Sequence, residues 1–508
     1  MRRLGGAWVA GGVPVNTVLL GARTIVRGLV ALVMLPLLLD RLGAVPTGLF
    51  IFATTLTGYF TAVEYGVGTS VTKYVAEHRA TGDHEQLGSI LRASLLLLLG
   101  LGAIVAAVVA ALALLGGEAL FSDPAVSSQA VPTLLVAAAV AFLYWPSRIG
   151  PASLRGLERY DICALIEIAC ALLTLALIFL ASGVTHSVAI LTALFGSVFL
   201  LEGVSAGVLA WPHLYLRRGV GHWRGSHLRP AMGFSAGLFL IGLSDTFIYE
   251  SDRIVVTAFV GAAALVVYEV ALRPQTGVRL IAGLVGSALV SPASRLVAQD
   301  RKRRLRELVL VGSLYAVVLT IPFVVLIFVL AQPIVEAWVG ESYGRYAGYV
   351  RIFISYWLLG VNAGVLTSAI VGVGRIRVFV WLTVGGAIFT LGLSIALTAA
   401  WGTVGVIWGT VIPNVLGFPI WMHFALRHVG IPASRYTREV VAPGYLPIAA
   451  WTIPVVVLAL ALHPTGLLGL GAFCTAALAA LWLALLPMLR TRWRRMLLDD
   501  RVPATVVA

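Results

Sequence analysis

The chain has 508 residues, of which 60% are hydrophobic and only 11% are charged, and its mean hydropathy is +0.97. Soluble domains carry about 25% charged residues, so this composition excludes an ordinary soluble globular protein. Apolar runs of roughly twenty residues also exclude an outer-membrane barrel, because barrel strands are shorter and alternate in polarity. The sequence therefore predicts an all-α, polytopic membrane protein.

The net charge of +14 is explained by the distribution of basic residues among the loops. Most of the 36 lysines and arginines lie on one predicted side of the membrane, whereas the opposite loops and helix ends hold only Arg41, Arg345 and Arg351. Basic loops mark the cytoplasmic side, so both termini are expected in the cytoplasm and no nucleic-acid partner is expected. The cysteines and histidines show no metal-ligand spacing, so neither a metal nor another cofactor is expected.

Fourteen spanning helices are predicted from the apolar runs. Very short connections, such as Ser182–His186 and Ala400–Gly405, make neighbouring helices antiparallel. No loop is long enough for a catalytic domain outside the membrane, and no catalytic residue is expected. The predicted helices are residues 15–39, 47–73, 88–115, 130–150, 162–182, 187–211, 231–258, 263–290, 308–331, 347–371, 378–400, 404–426, 443–463 and 466–489.

A weak internal repeat organises these helices into two halves. A basic stretch after the second helix is similar to one after the eighth, and pairing Val75 with Val297 also pairs Arg23 with Asp245. The two stretches are KYVAEHRATGDHEQLGSILRAS (Lys73–Ser94) and SRLVAQDRKRRLRELVLVGS (Ser294–Ser313). Helix order and loop polarity repeat as well, which predicts two parallel six-helix lobes followed by two additional helices. The predicted domains are residues 1–225 (helices one to six), 226–430 (helices seven to twelve) and 431–508 (helices thirteen and fourteen with a cytoplasmic tail).

Ionisable side chains lie inside several predicted spans. Each costs at least about 2.5 kcal/mol at membrane depth, so such residues normally face a bundle interior or a water-filled cavity. Their concentration in the seventh and eighth helices indicates a polar path through the membrane. The ionisable residues at membrane depth in the first, second, seventh and eighth predicted helices are Arg23, Arg27, Glu64, Asp245, Glu250, Asp252, Arg253, Glu269, Arg273 and Arg279.

Four stretches carry a family resemblance. They are PLLLDRLGAVPTGLF (Pro36–Phe50), EYGVGTSVTKYVAEHRATGD (Glu64–Asp83), SDRIVVTAFVGAAALVVYEVA (Ser251–Ala271) and VGVGRIRV (Val371–Val378). They resemble the MOP flippase superfamily, in particular its polysaccharide-transporter branch of O-antigen and oligosaccharide-lipid flippases, from about Pro14 to Arg490.

The resemblance implies two lobes around a central cavity, with helices one, two, seven and eight lining it. It implies alternating access and export of undecaprenyl-diphosphate-linked glycans across a bacterial inner membrane. The implied partners are the lipid-linked oligosaccharide, membrane lipids, and polysaccharide polymerase or glycosyltransferases.

Four arginines are the expected binding residues for the diphosphate headgroup. Arg23 and Arg27 lie one turn apart on the first helix and share a face. Arg273 and Arg279 lie on the eighth helix at a similar depth. Guanidinium forks pair with phosphate oxygens in a bidentate way, so these side chains would hold the headgroup while the lipid tail stays in the bilayer.

Internal neutralisation is the alternative role for the same charges. Glu269 and Arg273 are one turn apart and suited to pair, and Arg253 has carboxylates on its own and the neighbouring helix within reach. Glu64 either relays a proton or pairs with Arg23. The residues assigned to ion-pair or coupling roles are Glu64, Asp245, Asp252, Arg253 and Glu269.

Two further glutamates and two prolines inside predicted spans are expected to have structural roles. Glu167 and Glu202 lie in the fifth and sixth helices, away from the expected interface between the lobes, where packing or a polar contact within the lobe is expected. Pro274 and Pro322 each remove a backbone hydrogen bond and are candidate hinges.

Three competing functions remain open beside the oligosaccharide-lipid flippase. A lipid-linked peptidoglycan precursor flippase shares the expected fourteen-helix plan and a cationic cavity. A multidrug exporter of the same superfamily needs a cavity for organic cations, which the arginines in the spans disfavour. A membrane glycosyltransferase or polymerase normally carries a larger extramembrane loop with acidic residues.

Overall fold

The computed structural model describes residues 13–58, 67–81, 84–121, 123–124, 126–214, 250–373 and 376–498. Nearly all of these residues are helical, and none of those described lies in a strand, so the predicted all-α fold is confirmed. The chain divides into two compact units, Met1–Val266 and Val267–Ala508. The division into residues 1–225, 226–430 and 431–508 stays a prediction.

The first unit is built from nine described helices and the start of a tenth. A single residue, Gly43, separates α1 from α2, and its positive φ of 82° suits glycine at a tight turn. The helices are α1 (Val13–Leu42), α2 (Ala44–Gly58), α3 (Thr69–Thr81), α4 (His84–Leu120), α5 (Ser127–Ser147), α6 (Ile149–Gly156), α7 (Tyr160–Ser182), α8 (Val188–Ala210) and α9 (250–259).

The second unit contains most of α10 and the ten helices that follow it in the described chain. A 3₁₀ segment, Glu341–Tyr346, links α12 to α13, and a π-helical segment, Thr437–Val441, links α18 to α19. The helices are α10 (Ala262–Ala298), α11 (Lys302–Val329), α12 (Ala331–Val339), α13 (Ala347–Ser355), α14 (Trp357–Gly360), α15 (Ala363–Val373), α16 (Ile376–Trp401), α17 (Thr403–Val429), α18 (Ala433–Tyr436), α19 (Ala442–Leu462) and α20 (Gly466–Leu498).

Ten segments of the described chain are long and apolar enough to cross a membrane, and an eleventh is formed by two helical pieces, Glu341–Gly360 and Ala363–Ile370, that meet at a bend of 40°. Large apolar side chains such as Leu115 and Leu468 are almost fully exposed, as expected for a surface that faces lipid. A multi-pass membrane protein is therefore confirmed, whereas the count of fourteen spans and the orientation of the termini stay predictions.

Within the first unit, a contact between small residues brings α6 against α8. A Cβ atom on Gly150 would lie 2.2 Å from the carbonyl oxygen of Gly203, and one on Gly203 would lie 2.5 Å from the Cβ of Ser147. Small residues allow such close approach of spanning helices. Because Arg148 and Glu202 are the immediate chain neighbours of this contact, the contact also brings their side chains together.

Within the second unit, a proline in α11 creates a docking point for α20. Pro322 has no N–H to offer the carbonyl of Val318 four residues earlier. The indole Nε1 of Trp482 donates to that carbonyl at 3.1 Å. The Tyr315 hydroxyl also donates to the Leu489 carbonyl at 3.3 Å, so the C-terminal helix is hydrogen-bonded to α11 at two levels.

Prolines in α10 do not interrupt that helix. It is continuous from Ala262 to Ala298 and includes Pro274 and Pro292. Its buried Gln275 accepts hydrogen bonds on Oε1 from the Tyr356 hydroxyl at 2.9 Å and from Trp357 Nε1 at 2.7 Å. The two aromatic donors lie just before the bend in the predicted tenth span, so α10 is tied to the segment that bends.

Candidate functional site

Two arginines of α1 reach a carboxylate on α7. These helices pack along each other, and the one-turn spacing of Arg23 and Arg27 presents both side chains to the same neighbour. Glu167 Oε2 lies 3.0 Å from Arg23 Nη1 and 2.9 Å from Arg27 Nη1. The hydrogen bond from Arg23 Nη1 goes to Oε1 at 3.3 Å and that from Arg27 Nη1 goes to Oε2, so one carboxylate is shared by two guanidinium groups.

A second carboxylate, on α8, extends this group. Oε1 of Glu202 accepts hydrogen bonds from Nη1 and Nη2 of Arg148 at 2.9 and 3.0 Å. Oε2 of Glu202 lies 3.7 Å from Arg27 Nη2. Arg27 thus lies between the two carboxylates, in hydrogen-bond contact with Glu167 and in longer-range ionic contact with Glu202.

Arg155 completes the arginine–glutamate cluster, which is defined here as Arg23, Arg27, Arg148, Arg155, Glu167 and Glu202. Its Nη2 lies 3.7 Å from Glu167 Oε1. Among these six described residues, guanidinium groups outnumber carboxylates. Positive charge inside an apolar helix bundle is costly, and an anion placed beside it is correspondingly stabilised.

Exposure separates the members of the cluster. Both glutamate side chains are only 3% exposed and Arg148 is 8% exposed, whereas Arg23 and Arg27 are 29% and 38% exposed. Arg23 Nε is buried without a hydrogen-bond acceptor. The carboxylates therefore lie at the base of the cluster, and Arg27 presents the most accessible cationic surface.

The predicted site residues of the second unit form a separate ion pair. Arg273 Nε donates to Glu269 Oε2 at 2.8 Å across one turn of α10, and Glu269 is fully buried. Arg279, six residues further along α10, is half-buried. The i, i+4 pair that the sequence offered as an alternative to headgroup binding is present in the structure.

The remaining predicted residues fall partly within the described chain. On α9, Arg253 pairs with Glu250 one turn earlier, and Asp252 is fully buried. Glu64 and Asp245 lie outside the described residues. The structure thus groups Arg23 and Arg27 within the first unit and pairs Arg273 with Glu269 in the second.

Sequence reasoning did not assign four members of the cluster to the site. The sequence predicts that Glu167 and Glu202 pack or make a polar contact within the lobe. In the structure both make polar contacts within the first unit. Arg148 and Arg155 lie at the end of the predicted fourth helix and in the connection after it, where basic residues are expected on topological grounds alone. The available signal was the presence of one glutamate in each of two otherwise apolar helices, which by itself marks a functional position in a membrane protein.

The cluster has the chemistry of an anion site rather than a metal site. Among the residues that the structure describes, no group of three or more His, Cys, Asp or Glu side chains is arranged to hold a metal ion. The accessible donors are guanidinium groups, which recognise phosphate oxygens by charge-assisted hydrogen bonds. The arrangement suits a ligand that carries phosphate.

Comparison with solved structures shows the fold. The chain is similar to the lipid II flippase MurJ in an inward closed conformation (14% identity, 93% of this chain and 99% of that one, TM-score 0.69). It is also similar to an inward-facing multidrug resistance MATE family transporter of the MOP superfamily (16% identity, 80% and 94%, TM-score 0.60). A third similar structure is a MOP superfamily transporter from Pyrococcus furiosus (17% identity, 82% and 93%, TM-score 0.55).

Comparison of sequences shows the family. No curated protein matches the chain. A family model described as "Polysaccharide biosynthesis protein" matches residues 94–347, which is half of the chain. The matched segment includes Arg148, Arg155, Glu167 and Glu202. The chain therefore belongs to the polysaccharide biosynthesis protein family, and its fold is that of the MOP superfamily of membrane transporters.

Proposed function

We propose that this protein is a flippase that moves an undecaprenyl-diphosphate-linked oligosaccharide across the bacterial inner membrane by alternating access. Membership of the polysaccharide biosynthesis family supports a role in glycan export, and the MOP fold supports transport. In this proposal both termini are cytoplasmic, and the lipid-linked oligosaccharide and membrane lipids are the partners. A polysaccharide polymerase and glycosyltransferases would act after and before the transport step.

The two exposed arginines of the arginine–glutamate cluster, Arg23 and Arg27, are the observation that carries this proposal. A diphosphate linkage brings at least two negative charges on compact oxygens, which suits two exposed guanidinium groups that lie one helical turn apart. Arg27 and Arg23 are exposed enough to contact the headgroup, whereas the glutamates lie beneath them. A neutral sugar alone would not need such a site.

The second unit contributes the other proposed contacts. Arg273 and Arg279 lie on α10, where Arg273 is already paired with Glu269. We assign Arg273 and Arg279 as headgroup ligands during transport, and Glu64, Asp245, Asp252, Arg253 and Glu269 to ion pairing or coupling.

Charge reversal at Arg27 provides the test. In a host that lacks its own oligosaccharide-lipid flippase, Arg27→Glu should abolish surface glycan, because a carboxylate would repel the diphosphate at low dielectric. Arg27→Lys should retain part of the export, since it keeps the charge and loses the guanidinium fork. Surface glycan is measured at matched membrane abundance of each variant.

Arg41→Glu is the matched control. Arg41 lies at the end of the same helix, is 42% exposed and neighbours Asp40 rather than the cluster. Export by this variant should stay near the wild-type level. Full export by Arg27→Glu would show that the arginine–glutamate cluster does not bind the headgroup.

A lipid-linked peptidoglycan precursor is the second candidate substrate. It also carries a diphosphate, and the chain covers 99% of the lipid II flippase structure at a TM-score of 0.69. Complementation of a strain depleted of its peptidoglycan precursor flippase separates the two. Growth of that strain would favour the second substrate, whereas restored surface glycan without growth would favour the first.

A further inference from the structure

We propose that Glu167 and Glu202 are positioning residues that give the site its preference for a diphosphate over a monophosphate. This inference rests on the proposed function, because it concerns how the same arginines recognise the headgroup. The glutamates lie too deep to be substrate contacts, at 3% exposure each. Their role is to set where the guanidinium groups of Arg23 and Arg27 lie.

The first observation is the carboxylate that two arginines share. Two arginines one turn apart repel each other and have long, flexible side chains. Glu167 Oε2 contacts Nη1 of both, at 3.0 and 2.9 Å. A common carboxylate offsets the repulsion and holds two forks close enough to bind one diphosphate together.

The second observation is the fixed position of the other carboxylate. Arg148 binds Glu202 through two hydrogen bonds and is itself buried, and the glycine contact between α6 and α8 leaves this pair little room to move. Glu202 Oε2 then lies 3.7 Å from Arg27 Nη2. Arg27 is therefore restrained from two sides, by Glu167 and by Glu202.

The third observation is the asymmetry of the two halves. Under the predicted repeat, α16 and α17 correspond to α7 and α8. Neither α16 nor α17 contains an aspartate or a glutamate. A six-helix unit of this fold thus forms without carboxylates at its fifth and sixth helices, which indicates that Glu167 and Glu202 serve more than the assembly of the unit.

Three possible roles of the glutamates predict different binding behaviour. If they only lower the net charge, then removing one carboxylate should strengthen the binding of every anion. If they only stabilise the fold, the remaining folded protein should bind with unchanged preference. If they position the arginines, the preference for diphosphate over monophosphate should fall, whatever happens to the overall affinity.

The experiment compares two lipids on the purified full-length protein in detergent. Affinities for undecaprenyl diphosphate and undecaprenyl monophosphate are measured by native mass spectrometry, for the wild type and Glu167→Gln. The wild type should prefer the diphosphate. In Glu167→Gln the ratio of the two affinities should fall about tenfold, the effect of losing one well-placed charge-assisted hydrogen bond. Glu167→Asp, which keeps the charge, should restore part of the ratio.

Asp161→Asn is the control for a change of one charge on the same helix. Asp161 lies at the start of α7, and its Oδ2 pairs with Arg159 at 2.9 Å, apart from the cluster. This variant should keep the wild-type ratio. A fall equal to that of Glu167→Gln would show that the effect is not specific to the cluster and would overturn the inference.

The remaining outcomes are also decisive. An unchanged ratio in folded Glu167→Gln, checked by size-exclusion chromatography and thermal melting, would overturn the positioning role and leave the proposed function intact. If that variant does not fold, Glu167→Asp serves the same purpose, since moving the carboxylate by one methylene must then lower the ratio. Equal wild-type affinity for the two lipids would instead contradict the proposed function itself.

Discussion

At the scale of single residues, the two glutamates of the cluster differ in what surrounds them. The main partner of Glu202 is Arg148, which is 8% exposed, whereas the partners of Glu167 are 26–38% exposed. A partly exposed arginine tolerates the loss of its carboxylate better than a buried one does. Stability and substrate binding should therefore be affected differently at the two positions.

The first prediction concerns protein stability. Glu202→Gln should destabilise the folded protein by roughly 3–5 kcal/mol, because it leaves the Arg148 charge buried without its carboxylate. Glu167→Gln should have a clearly smaller effect. The double variant Arg148→Gln/Glu202→Gln should recover much of the loss, since it removes both charges. Thermal melting of the detergent-solubilised variants measures these differences, and equal melting shifts for the two single variants would contradict the assignment.

At the scale of helices, the contact between α11 and α20 follows from a missing backbone donor. Pro322 leaves the Val318 carbonyl without its usual partner inside a buried helix, and Trp482 supplies an indole N–H. An unpaired carbonyl at this depth would cost several kcal/mol. Within the second unit, α20 is therefore held against α11 by this hydrogen bond.

A double-mutant cycle tests this pairing. Trp482→Phe alone should destabilise the protein by about 1–3 kcal/mol, because it leaves the buried carbonyl unsatisfied. Pro322→Ala restores a donor within α11, so Trp482→Phe in that background should lose less. The coupling energy is read from thermal melting of the four proteins. Trp451→Phe, whose Nε1 donates to the Ala477 carbonyl instead, is the control and should show no coupling to Pro322.

Hydropathy predicts the helices well and the cluster poorly, for one physical reason. A span is a local property of about twenty residues, so the order of α4, α5, α7 and α8 and of α16 and α17 follows directly from the sequence. The pair of Arg27 with Glu167 joins residues 140 positions apart, and its formation depends on which faces of α1 and α7 meet. The bend near residues 360–363 likewise depends on tertiary contacts, whereas the sequence predicts a single helix over residues 347–371.

At the scale of the whole molecule, the topology is the open prediction. The charge distribution of the loops places Ser342 outside and Ser434 inside, and both side chains are exposed. Single cysteines at these positions, in a background without Cys163, Cys170 and Cys474, should react with a membrane-impermeant maleimide differently. Ser342→Cys should be labelled in intact cells, and Ser434→Cys only after permeabilisation. Labelling of Ser434→Cys in intact cells would contradict the predicted orientation.

The position of Glu167 along the chain has a consequence for biosynthesis. Arg23 and Arg27 are synthesised 144 and 140 residues before the carboxylate that they share. At about 5–20 residues per second, the ribosome needs roughly 7–30 s to reach Glu167. During that interval α1 carries two arginines, each of which disfavours insertion by roughly 2.5–3.5 kcal/mol near the middle of a span. These penalties favour a nascent α1 that stays beside the insertion machinery, or at the membrane surface, until α7 arrives to receive it.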